Sequence, residues 1–169
     1  MTEVGSIRSL MDTLLRLVVL AQRALSRQME FQADLVAVSL TGSDEIVHAL
    51  HKLQAADDAW EQALGFCNAE IQRERLPHDL FAVQTRIVEK MAQILNDETY
   101  GRTPPAAANP QSRRVFKSAF AQPPQMWSTH PSSFDREENA KRRYLAAPPD
   151  TRSAWLLFDN AEAVKTRVV

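Results

Sequence analysis

The chain has 169 residues, 44% apolar and 24% charged, with twenty basic against twenty-one acidic side chains and a net charge of -1. That apolar share excludes an intrinsically disordered chain, and the balanced charge supplies no basic footprint for nucleic acid or an anionic membrane. Four glycines are few for a turn-rich sheet architecture, and one cysteine, Cys67, makes no internal disulfide, so the composition predicts a single all-α domain over residues 1–169.

The first element is a long amphipathic helix. Ile7, Leu10, Leu14, Leu17, Val18, Ala21 and Leu25 recur at three- and four-residue steps almost from Met1, and that stripe is expected to face the core. Its longest uninterrupted apolar run, Leu17 to Ala21, is far below the roughly twenty residues a bilayer span needs, so no membrane span is expected and the chain reads as soluble. The helix is expected to end near Leu40, at Thr41-Gly42, with Ser43 or Asp44 capping a second helix from about 44 to 66. Pro77 interrupts, and Asp79 to Asp97 reads as a third helix, the two packing partners of the first and the end of a helical core over 1–100. Prolines at 104, 105, 110, 123, 124 and 131 forbid a long helix between 101 and 135. Phe116, Phe120, Met126, Trp127 and Phe134 predict an ordered arm there, with a short helical stretch around 113–120 and Trp127 as a cleft candidate near His130. Short helices fill 136–169, the first carrying Glu137 with Lys141 and Glu138 with Arg142 at a favourable spacing and reading as a solvated face.

Within the first helix, Met29, Phe31, Ala33, Leu35, Val36, Ala37, Val38 and Leu40 surround the helix with apolar side chains, which predicts burial on all sides. Glu30 and Asp34 lie in that stretch one turn apart on one face. Two carboxylates entering an apolar interior require a cation, either arginine or a metal. Arg23 and Arg27, one and two turns back, offer an intrahelical alternative.

The run Ser26-Arg27-Gln28-Met29-Glu30-Phe31-Gln32-Ala33-Asp34 resembles the Ser-Arg-x-x-Glu-x-x-Ala-Asp segment of the HtpX-like zinc metallopeptidases, the gluzincins that include the CAAX prenyl endopeptidases. About 100 residues on, Ser128-Thr129-His130-Pro131 followed by Arg136 resembles that family's Ser/Thr-x-His-Pro-x-x-x-x-Arg segment. The resemblance implies a zinc-dependent endopeptidase acting on a peptide or protein substrate. Glu30 would be the third protein ligand of one zinc ion, Asp34 would hydrogen-bond a ligand histidine, His130 would meet the substrate oxyanion, and Arg136 would order the cleft. It further implies a membrane-associated parent protein with a cytoplasmic catalytic domain.

No HExxH occurs in the 169 residues, so two histidine ligands and the water-activating glutamate are not supplied by this sequence. His48 and His51 share a helix face without an intervening base and read as packing residues, His78 as a residue at the start of a helix, and Cys67 as a structural thiol. The expectation is therefore the C-terminal portion of such a peptidase, inactive alone and completed by an upstream HExxH segment. A non-enzymatic helical interaction module, or one half of a split peptidase completed by a second chain, are the alternatives.

Overall fold

The computed structural model describes residues 2–75, 78–105, 107–116 and 130–167. Among them every regular element is helical, as the composition predicts: α1 (Thr2–Thr41), α2 (Ser43–Ile71), α3 (Leu80–Leu95), α4 (Ser133–Lys141), a 3-10 turn (Ala154–Leu157) and α5 (Ala161–Arg167). No helix among the described residues is long and apolar enough to cross a membrane. The chain divides into two compact units, both discontinuous in sequence, and the division falls inside α2 between Val47 and His48.

The first unit contains Met1–Val47 and Arg114–Ala147. α1 stops where the sequence places its stop, because Gly42 adopts φ +90° and its amide closes on Val38 O at 2.9 Å. The next residue is fastened from a distance. Ser43 is fully buried, its hydroxyl donates to Ala140 O (2.8 Å) and accepts from Leu145 N (3.0 Å), and its own amide donates to Leu145 O (2.8 Å). α4 is capped by Ser132, whose side chain accepts from Asp135 N and so satisfies a free amide of the first turn.

Two expectations for α1 are overturned. The stripe expected to face the core is exposed at Ile7, Leu10, Leu14, Leu17, Val18 and Leu25. The stretch expected to be buried all round is buried only at Asp34 and Val38, while Met29 is 64% and Leu40 79% exposed. The buried face is the one that bears the acids, and α4 packs against α1 there. Apolarity fixes which residues gain from burial; which face is covered depends on where a neighbour lies.

The second unit, His48–Arg113 with Pro148–Val169, has its core between α2 and α3. Ala55, Ala59, Ala63 and Cys67, spaced four apart, form the buried row of α2, and Trp60, Leu64, Leu80, Val83 and Ile87 pack against its C-terminal part. Small side chains in that row permit close helix approach, while Leu53, on another face of the same helix, is 54% exposed. α3 is bounded as its sequence requires: Asp79 accepts from Ala82 N at 3.0 Å, and Asn96 ends it in the left-handed conformation. The C-terminal segment joins through aromatic contacts, Phe81 meeting Trp155 edge-on at 5.4 Å, with Lys165 Nζ 4.9 Å from the Trp155 ring centre.

Two further expectations fall in the arm and after it. Residues 113–116 are irregular rather than helical, and 117–120 lie outside the described residues, as do Met126 and the cleft candidate Trp127. The charged run 136–143 is not a solvated face throughout, because Glu137 and Lys141 are both buried.

Candidate functional site

Asp34 projects from the covered face of α1 and is 2% exposed. Arg136, in the first turn of α4, meets it side-on: Nε donates to Asp34 Oδ2 at 2.8 Å and Nη2 to Oδ1 at 2.6 Å. This parallel two-point geometry is the strong form of an arginine–carboxylate pair. The hydrogen bond to Asp34 holds the Arg136 guanidinium above its ordinary pKa, and the Asp34 and Glu30 charges add to that against the opposing effect of burial. One turn earlier on α1, Glu30 Oε2 lies 3.8 Å from Arg136 Nη1. Its other oxygen, Oε1, meets Nδ1 of His130.

The four residues singled out in the sequence, Glu30, Asp34, His130 and Arg136, thus converge on one place although two pairs of them stand about 100 residues apart in the chain. The cation opposite Asp34 comes from α4. His130 is the most accessible of the four, its side chain 73% exposed against 24% for Glu30 and 23% for Arg136. An ionised carboxylate only accepts, so its contact with Glu30 places a proton on Nδ1 of His130. A neutral ring held in that way presents Nε2 as an acceptor.

Zinc in a catalytic site takes three protein ligands and a water. Among the described residues no group of three or more His, Cys, Asp or Glu is placed to hold a metal ion. Glu30 brings one carboxylate, with one oxygen against His130 and the other toward Arg136. Both Asp34 oxygens receive Arg136. The described residues therefore do not form a zinc site by themselves; what they form is a preorganised acid pair with a cation and an accessible imidazole.

Two supporting contacts escaped the sequence, and a third, the Glu137–Lys141 pair, was expected but as a solvated one. Asn139, three residues after Arg136 and so on its face, donates from Nδ2 to Phe31 O at 3.1 Å, pinning α4 to α1 between the two acids. Glu137, on the next face, accepts from Val115 N (2.9 and 3.0 Å) and Phe116 N (2.9 Å), which holds this part of the arm against α4. Lys141 Nζ neutralises that buried carboxylate at 3.1 Å and reaches Asp44 at 3.3 Å. The four-residue spacing of Glu137 and Lys141 was visible, but the same spacing serves an ion pair in water equally well.

The model for Peptidase family M48 matches residues 2–144, a stretch that takes in all four site residues. No curated protein and no solved structure matches the chain. The family is one of metallopeptidases, hydrolases that are generally zinc-dependent. With the match running over most of the chain, and across both segments that meet at Glu30 and Arg136, the chain belongs to Peptidase family M48.

Proposed function

We propose that this chain is the C-terminal, ligand-bearing part of a zinc metalloendopeptidase, which gains its two histidine ligands and its water-activating glutamate from an HExxH segment not contained in the 169 residues. Glu30 is the third zinc ligand in that reading, Asp34 orients a ligand imidazole, His130 faces the substrate oxyanion, and Arg136 fixes the acid pair. The observation that carries the proposal is the convergence of Glu30, Asp34, His130 and Arg136 from two distant segments. A structural ion pair needs only Asp34 and Arg136; an accessible imidazole added to a half-buried second acid is a use of chemistry that packing does not call for.

The chain alone is then inactive and holds zinc weakly. Zinc content after dialysis and casein cleavage are to be measured on these 169 residues, and again after joining the in-frame sequence that precedes the Met1 codon. The expected outcome is no zinc and no cleavage from the chain alone, with both acquired on joining and lost again in Glu30→Gln. Tight zinc and cleavage from the 169 residues alone contradict the need for a missing segment. An upstream sequence without HExxH, or a joined protein that stays inert, favours instead a non-enzymatic helical module. That second reading has one observation of its own, since Glu30, Asp34, His130 and Arg136 already satisfy one another without a metal.

A further inference from the structure

α1 has a second face that the acid site does not use. Taking about 100° per residue, all seven charged side chains between Ile7 and Leu40, from Arg8 to Asp34, fall within a sector of about 100°. The opposite side is free of charge from Ile7 to Leu40. It is marked by steps of eleven residues, Ile7–Val18–Met29–Leu40 and Leu14–Leu25–Val36, all of them about half exposed or more. Eleven residues are close to three helical turns, so these side chains lie in two nearly straight rows, about 50 Å and about 33 Å long. Ten large apolar side chains on this side are 49% exposed or more. Together they present on the order of 1,000 Å² of apolar surface, above the roughly 800 Å² per partner that a standard stable interface buries.

We propose that this face is the contact between two copies of the chain, α1 against α1. The surface is self-complementary in the sense a two-fold interface requires: from Ile7 to Leu40 it is straight, apolar and without a charge to repel its own copy. Ala21 and Ala24, near the middle of the helix, permit close approach. An anionic membrane is the poorer occupant, because arginines 16, 23 and 27 sit on the side away from this face, where they cannot reach headgroups while the stripe is inserted. The acid site stays open in such a dimer, since Glu30 and Asp34 point to the other side of α1.

Sedimentation velocity of the 169-residue chain at micromolar concentrations is the test, read beside circular dichroism. The expected species is a dimer of 19.1 kDa chains. Leu14→Glu/Leu25→Glu is expected to sediment as a helical monomer, and Arg16→Glu, on the charged side, to remain a dimer. If the double variant loses its helical signal, Leu25→Gln replaces it, glutamine being a good helix former, with at least a tenfold rise in the dimer dissociation constant expected. A wild-type monomer, a polydisperse aggregate, a monomer that binds anionic vesicles, or variants that dimerise as tightly as wild type each overturn the proposal.

Discussion

Removing the Arg136 guanidinium leaves the 2%-exposed Asp34 carboxylate without the cation across from it. Breaking such a pair from one side is more costly than removing both halves, because the stranded charge keeps its desolvation penalty. Arg136→Met is therefore expected to lower stability by about 2–4 kcal/mol, while Asp34→Leu/Arg136→Met returns to within about 1 kcal/mol of wild type. Urea unfolding followed by circular dichroism measures both. A second residue-scale prediction concerns pH. Tyr144 donates to Asp44 Oδ2 at 2.6 Å, and that hydrogen bond, with burial and the Asp44 charge, pushes its pKa up to about 12. The folded pKa is raised, so the stabilisation is complete below the unfolded value near 10 and is lost as pH climbs toward about 12. The stability advantage of wild type over Tyr144→Phe is thus expected to be level from pH 7 to 9 and to shrink from 10 upward. A constant difference across that range contradicts the assignment.

Among the elements, the junction of α1 and α2 is the most tightly specified. Gly42 holds φ +90°, and a Cβ there lies 2.8 Å from Ala147 Cβ and 3.0 Å from Ala147 N. Backbone strain and a contact that cannot relax along a flexible side chain act together, so Gly42→Ala is expected to cost about 2–3 kcal/mol in the same urea measurement. This junction was legible in the sequence, as were Asp79 at the start of α3 and the helical class as a whole. Each depends on chemistry within a few residues: a glycine free to turn left-handed, or a carboxylate within reach of its own helix's amides. The covered face of α1 was not legible by the same means. Its most regular apolar stripe is the one left in contact with water, because burial is decided by a neighbour that the periodicity of one helix does not specify.

At the scale of the molecule, the acid site was recognisable from the order of two short motifs, whereas the contacts that support it were not. Glu30, Asp34, His130 and Arg136 are residue types whose spacing carries chemistry. Asn139, Glu137 and Lys141 gain their roles only when α4 lies against α1 and the chain at Val115 and Phe116 returns to α4. A buried carboxylate gripping two backbone amides looks, in sequence, like any glutamate four residues ahead of a lysine.

The fastening of Ser43 bears on where the domain ends. The family match stops at Tyr144, yet the two backbone and hydroxyl bonds that secure Ser43 come from Leu145, and the wall against Gly42 is Ala147. A recombinant boundary drawn at the edge of the match would cut away this buttress while sparing every recognised motif. The peptide bonds around Leu40 and Thr41 would then lie open to chymotrypsin-like and other proteases that cut after apolar residues, and a shortened chain would be degraded for a reason unrelated to its chemistry.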